Sequence, residues 1–378
     1  MTALFLHGCD VLTAQGRRPG LGVLIEGDRI ASLLPETERP DAARRALPPG
    51  ALLAPGYIDV QVNGGGGVLF NDTPTAEGAL AIAAAHRLLG TTAILPTLIT
   101  SDAAAMRAAA AAARPAVAAG RGVVGVHFEG PFLSPARPGV HQRSLIRAAE
   151  TEDLELLEGL ARGWAGRVLL TLAPECVPRA AQERLAAAGV VLAAGHSAAP
   201  FEAVVPPVRG ITHLFNAMNP PAARDPGLVA AALLGPFYAG IIMDGVHVHP
   251  AMLRLLRAVK PLSHIMLVSD SMSVAGTNAA SFMLQGQEIF RRNGRLETAD
   301  GTLAGADLCL AQAVRNAVSL LGLTADEAIG LATAVPADFL GLEQEVGRIA
   351  PGLRADLVLL DEALMVRATC VGGDWREA

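Results

Sequence analysis

Cysteine, aromatic residues and lysine are the scarce components of this chain, and each shortage narrows what the protein does. Four cysteines, Cys9, Cys176, Cys309 and Cys370, are scattered through 378 residues without C-x-x-C spacing. Neither a disulfide scaffold nor a cysteine-based metal site is expected, and buried free thiols suit a cytoplasmic, reducing setting. Aromatic residues are 4% of a chain that is 51% hydrophobic, so Ala, Leu, Val and Gly must fill the core. The only lysine is Lys260. With a formal net charge of −6 and no long Lys/Arg run, neither nucleic acid nor an anionic membrane surface is an expected partner. A small anionic substrate is still compatible, since one or two local Arg or His residues suffice.

Membrane segments are missing as well. The start "MTALFLHGCD" lacks a basic n-region and meets Asp10 too early for a signal peptide. The longest apolar run, Gly227 to Met243, contains Pro236 and three glycines and falls short of the ~20 residues that a spanning helix needs. A soluble protein is expected.

What is present is alternation. The first fifty residues and the segment from Arg348 onward are short β-rich runs broken by Gly and Pro, with "EGD" as a hairpin signal. The middle repeats strand-length apolar runs, from "GYIDVQV" through "TTAILPTLI", "GVVGVHFEG", "RVLLTLAPE", "VVLAAGHS", "ITHLFNAM" and "YAGIIMDGVH" to "SHIMLVSD". Helical patterns separate them, such as Thr75–Leu89, Asp102–Ala119 and Pro250–Val259. Eight buried strands, each followed by a helix, predict an α/β fold, a (β/α)8 TIM-like barrel. No G-x-G-x-x-G follows the first strand, which disfavours a dinucleotide-binding sheet. Residues 1–53 and 345–378 are expected to form one small β-sandwich domain, and 54–344 the barrel. Asn293-Gly294 predicts a hairpin inserted before a last helix, Asp307–Leu321.

In such a barrel the active site lies at the C-terminal ends of the strands. Those ends are polar: Gln61 and Asn63 on the first, His127 and Glu129 on the third, Glu175 on the fourth and His196 on the fifth. His213 and Asn216 follow on the sixth, Asp244 and His247 on the seventh, and Asp270 on the eighth. Glu129, His196 and His213 make one carboxylate and two imidazoles, a common catalytic zinc set, and Asp270 could shuttle a proton. Blander roles compete with these. His7, His86 and His264 read as structural, His127 as support or packing, and Glu175 and His249 as loop residues. The H-x-H pair that often ends the first strand of metal-dependent barrel hydrolases is replaced by Gln61 and Asn63, both weak ligands.

"GVHFEGPFLSPARPGVHQ" (Gly125–Gln142), "AAGHS" (Ala194–Ser197), "THLFNAMNP" (Thr212–Pro220), "DGVHVHP" (Asp244–Pro250) and "LVSDSM" (Leu267–Met272) resemble the motifs of N-acetylglucosamine-6-phosphate deacetylases, in the amidohydrolase superfamily. The resemblance spans essentially the whole chain. It implies hydrolysis of the acetamide of N-acetylglucosamine 6-phosphate, in amino-sugar catabolism or cell-wall recycling. Glu129, His196 and His213 would hold one divalent metal per subunit, zinc by expectation, with iron, cobalt or another ion as alternatives. Asp270 would be general base and then acid. His141 would bind the substrate and polarise its carbonyl. Val140, Asn216, Ala217, Arg224, Asp244, His247 and Leu303, Ala304 and Gly305 would contact the sugar phosphate. A homodimer is implied, with Arg224 and His247 reaching the neighbouring site.

Three alternatives stay open. The substrate could be the galactosamine epimer. It could be a cyclic amide, although those hydrolases use H-x-H and a strand-end lysine that this chain lacks. The barrel could also be a degenerate, non-catalytic one.

Overall fold

The computed structural model describes residues 3–378. Eight strands, β1 (Tyr57–Val62), β2 (Thr91–Ile99), β3 (Gly125–Glu129), β4 (Arg167–Leu172), β5 (Val190–Ala194), β6 (Val208–Ile211), β7 (Tyr238–Ile242) and β8 (Ile265–Val268), lie side by side in chain order. Every adjacent pair is parallel. Their residues are buried almost without interruption, as expected of strands covered on both faces.

Nine α-helices lie among the described residues: α1 (Ala76–Leu88), α2 (Ala103–Ala118), α3 (Thr151–Ala161), α4 (Arg179–Ala187), α5 (Gly227–Leu234), α6 (Pro250–Val259), α7 (Leu310–Leu321), α8 (Ala325–Gly330) and α9 (Ala334–Leu340). The helix expected after β5 is only a short 3-10 turn, Phe201–Ala203. The alanine-rich α2 starts where Asp102 Oδ1 accepts from Ala105 N at 2.8 Å, an N-cap that satisfies one free amide of the first turn. The helix expected over Asp307–Leu321 is not the last, because α8 and α9 follow it, and it begins three residues late, at Leu310. Asp307 is held outside it by an ion pair with Arg291 at 2.8 Å, and Cys309 takes the extended N-cap position.

The seam between β8 and β1 is bonded sparsely. Asp270 N donates to Gln61 O at 3.1 Å, and Val62 bridges Ser271. Asp59 fills the gap, its Oδ1 accepting from Ser269 N and from Gln61 N at 3.2 Å each. Burial pushes its carboxyl up to about 7, and Oδ2 has no partner.

Both ends of the chain add sheets. Leu4–His7, Leu21–Glu26, Arg29–Pro35 and Ala43–Ala46 form a four-stranded sheet, with the expected two-residue turn at Gly27-Asp28. Asp10–Thr13, Gly16–Arg18 and Leu52–Pro55 join Leu357–Leu360, Val366–Val371 and Asp374–Glu377 in a six-stranded one. Leu6, Val23 and Ile25 of the first meet Val11, Leu53 and Leu357 of the second in one apolar cluster.

Two further devices shape the barrel mouth. The glycine stretch after β1 folds into a tight hairpin, Gly64–Gly65 against Val68–Leu69, in which Gly66 and Gly67 have φ of 62° and 87°. Such turns need positive φ at both central residues, which glycine reaches without strain. After β8 comes an antiparallel meander of Ser281–Leu284, Gln287–Arg292, Arg295–Glu297 and Leu303–Ala306. The expected Asn293-Gly294 turn is there, and Gln285-Gly286 makes a second. Leu284, Ile289, Leu296 and Ala304 seat this meander on Leu69, Ile99, Met272 and Val274 at the barrel mouth.

Candidate active site

Three side chains from three strand ends converge on one point. Glu129 Oε1 lies 3.0 Å from His213 Nε2 and 3.2 Å from His196 Nε2, and the two imidazole nitrogens are 3.0 Å apart. All three residues are buried. His196 Nδ1 donates to Arg137 O at 3.0 Å, so a neutral His196 turns a lone pair toward Glu129. Lone pairs facing one another at this distance need a proton or a cation between them. A four-coordinate zinc with bonds of ~2.0–2.2 Å keeps its donors ~3.3 Å apart, so the chemistry and spacing of this triangle fit a divalent ion. The fixed Nδ1 of His196 is the outer hydrogen bond that orients a metal-binding imidazole. Glu129 is itself held well below the usual carboxylate range: burial alone would raise it, but the neighbouring His196 and His213 favour its charged form.

The backbone is bent to make this convergence. Of eight non-glycine residues with positive φ among the described residues, five sit here: His196 (47°), His213 (29°), Phe215 (80°), Ala217 (51°) and Asp270 (49°). Left-handed conformations cost non-glycine residues energy and cluster at functional sites. β6 ends at Ile211, so His213 projects from the turn beyond it.

Gln61 and Asn63, in the place of H-x-H, serve the two carboxylates. Gln61 Nε2 donates to Glu129 Oε1 at 3.1 Å and to Asp270 Oδ1 at 3.2 Å, and Asn63 Nδ2 donates to Asp270 Oδ1 at 2.7 Å. Burial and the charge of Glu129 push Asp270 up to about 6, the Asn63 bond acting in the opposite sense. His141 reaches in from the loop after β3. Its Nδ1 lies 2.7 Å from Thr100 Oγ1, its ring centroid is 4.3 Å from that of His196, and burial pushes its pKa down to about 3. Glu129, His141 and His196 also offer donor atoms within 4.8 Å of one another. The triangle with His213 is tighter and is the better metal set.

A cavity of about 270 Å³ opens on these groups. Val140, Asn216, Ala217, His247, Leu303 and Gly305 line it. Ala304 lies beneath it, fully buried. Asp244 stands behind His247: its Oδ2 accepts from His247 Nδ1 at 2.6 Å and its Oδ1 from Val246 N and His247 N, so it orients that ring. Arg224 sits in an exposed loop and is not among the residues lining its own chain's cavity. No lysine or arginine lines that cavity. Glu175 is also elsewhere, accepting from Ser197 Oγ and Ala198 N at 2.7 Å each and so tying down the loop after His196. His127 packs one layer below, and His86 Nε2 donates to Gly64 O at 2.9 Å under the glycine hairpin.

Three contributors escaped the sequence reading. Thr100 follows an apolar strand in no motif, Arg137 acts through a carbonyl that leaves no side-chain signature, and Gln285 is far along the chain. A larger cleft of about 820 Å³ lies between the terminal sheets. Its Arg45 and Arg367 pair with Glu377 and Asp361, and no set of converging donors comparable to the triangle lines it.

Comparison with known proteins agrees with this geometry. Residues 52–376 match the model of the Amidohydrolase family. An N-acetylgalactosamine-6-phosphate deacetylase of Shewanella sp. (strain ANA-3) is 41% identical over 341 residues, 88% of this chain and 85% of that protein. An N-acetylglucosamine-6-phosphate deacetylase of Haemophilus influenzae is 30% identical over 380 residues, 98% of this chain and 99% of that protein. The crystal structure of N-acetylglucosamine-6-phosphate deacetylase from Pasteurella multocida superposes with a TM-score of 0.93 at 31% identity, covering both chains completely.

Proposed function

The chain belongs to the amidohydrolase family, and from that membership we propose that it hydrolyses the acetamide of N-acetyl-D-glucosamine 6-phosphate. The products are D-glucosamine 6-phosphate and acetate. The observation that carries this reading is the Glu129–His196–His213 triangle with Asp270 held beside it by Gln61 and Asn63. A second substrate, the galactosamine epimer, is favoured by the 41% identity to a deacetylase of that sugar. A degenerate barrel would be expected to have lost a ligand or Asp270, and all are present.

An amide resists water because its carbonyl is a weak electrophile and its amine a poor leaving group. A divalent ion, zinc by donor type with iron or cobalt as competitors, would be held by Glu129, His196 and His213 and would supply Lewis-acid polarisation and acidified water. Asp270, ionised at neutral pH, accepts the proton of the attacking water as the new C–O bond forms. It then returns that proton to the nitrogen as the C–N bond breaks, so that the amine leaves neutral and the acyl group leaves as acetic acid, which ionises to acetate. Gln61 and Asn63 keep the accepting oxygen in place, and Gln61 ties it to Glu129. His141 holds the acetamide oxygen. Asn216, Ala217 and His247 meet the sugar phosphate.

The cavity's lack of Lys and Arg supports a homodimer in which the partner's Arg224 completes the phosphate site. Residues 1–53 with 345–378 act as a supporting β-sandwich, and 54–344 carry the chemistry. Among the described residues no helix is long and apolar enough to cross a membrane. The proposed setting is cytoplasmic amino-sugar catabolism.

Acetate release by the metal-loaded protein tests this reading. It is measured on both 6-phosphorylated epimers and their unphosphorylated forms. Turnover of a phosphorylated form is expected, with much weaker turnover without phosphate. No acetate from either epimer would overturn the reading.

A further inference from the structure

Thr100, one residue beyond β2, is 1% exposed and contacts two acceptors. His141 Nδ1 lies 2.7 Å from its Oγ1, and the Glu129 carbonyl oxygen lies 3.3 Å away. Hydroxyl hydrogen bonds to oxygen fall between ~2.5 and ~3.0 Å, so the carbonyl is a poor home for the only proton of Thr100. If His141 instead donated from Nδ1, that hydroxyl proton would be buried without an adequate acceptor, which folded proteins avoid. Donation from Thr100 to His141 is the arrangement that satisfies both groups.

We propose that Thr100 is a positioning residue that donates to His141 Nδ1 and so fixes the tautomer in which Nε2 carries the hydrogen. The ring then presents an N–H to the cavity, where a substrate carbonyl oxygen would accept it. The same assignment separates His141 from the metal ligands. A protonated Nε2 has no lone pair to give, although it stands close to Glu129 and His196, whereas His196 is locked in the opposite tautomer by Arg137 O.

Thr100 is itself braced from outside the barrel. Gln285, in the turn of the inserted meander, donates from Nε2 to Thr100 O at 2.8 Å. Gly130 has no side chain where a Cβ would come within 2.3 Å of Thr100 Oγ1. Gln285 therefore anchors the Thr100 backbone, and Gly130 leaves room for its hydroxyl. The donor role at the carbonyl rests on the deacetylase reading; the tautomer does not.

The test pairs kinetics with a direct view of the ring in zinc-loaded protein. Thr100→Val keeps the shape and removes the hydroxyl. It is expected to lower kcat for acetate release by about 10²-fold, the scale of losing one donor to a developing oxyanion, with KM and zinc content near wild type. Thr100→Ser is expected to restore kcat. Nitrogen-15 NMR of labelled histidine is expected to show His141 as the Nε2–H tautomer in the wild type and in Thr100→Ser, and shifted to Nδ1–H in Thr100→Val. An Nδ1–H tautomer in the wild type, or wild-type kcat in Thr100→Val, would overturn the proposal. If Thr100→Val fails to fold, the wild-type and Thr100→Ser spectra still decide it. A wild type that releases no acetate but shows the Nε2–H tautomer would sink the deacetylase reading and leave the Thr100 assignment standing.

Discussion

His127 and Glu129 stand two residues apart on one strand, point the same way and are equally buried, yet they belong to different layers with different fates. His127 is satisfied: its Nε2 lies 2.7 Å from Thr171 Oγ1 and its Nδ1 3.3 Å from Thr97 Oγ1, and Thr171 continues to Thr212 at 2.6 Å. Burial pushes its pKa down to about 4, so it stays neutral. One layer up, Glu129 Oε1, His196 Nε2 and His213 Nε2 converge within 3.2 Å of one another, and His213 Nδ1 and Asn63 Oδ1 have no partner. Burial alone does not mark a functional group. A convergence of several donor atoms on one point does.

That contrast can be broken from either side. Asp270→Asn should cut acetate release by about 10³-fold, within the range for losing a general acid–base, while metal content stays at the wild-type level. A variant that loses the metal as well would make Asp270 a ligand rather than a base. The lower layer answers to stability instead. Asp59, raised to about 7 by burial, holds a proton in the folded chain that the unfolded chain releases near its ordinary value. Its contribution is full below pH ~4 and is lost as pH rises toward about 7, by up to about 4 kcal/mol. Urea titrations from pH 4 to 8 should therefore fall more steeply for wild type than for Asp59→Asn, and parallel curves would refute this. His127→Leu removes a buried hydrogen-bond partner of Thr171 and should cost about 1–3 kcal/mol in the same titration, while turnover per metal-loaded chain falls far less than in Asp270→Asn. A loss of turnover matching that of Asp270→Asn would erase the distinction between the layers.

Much of this was legible in the residues because parallel barrel strands are long apolar runs, so polar side chains at their ends stand out. β2 spans the expected nine residues, and Pro250–Val259 is helical throughout. Glu129, His196, His213 and Asp270 were legible for the same reason. Less legible were contacts made by single atoms or across long stretches of chain. Thr100 has one hydroxyl and no pattern around it. Gln285 touches Thr100 across 185 residues. The bond from Asp244 to His247 was not legible either: a three-residue separation in a tight loop closes the carboxylate onto its own neighbours. The Gln285-Gly286 turn was not picked out beside the stronger Asn293-Gly294 signal.

The central claim is that Glu129, His196 and His213 hold one cation, while Gln61 and Asn63 serve the carboxylates and hold none. Metal content of protein purified without chelator and dialysed against excess zinc tests it most directly, with Glu129→Gln measured in parallel. The account predicts one equivalent per chain in the wild type and close to none in Glu129→Gln. Two equivalents in the wild type, or a metal retained in full without the Glu129 carboxylate, would contradict it.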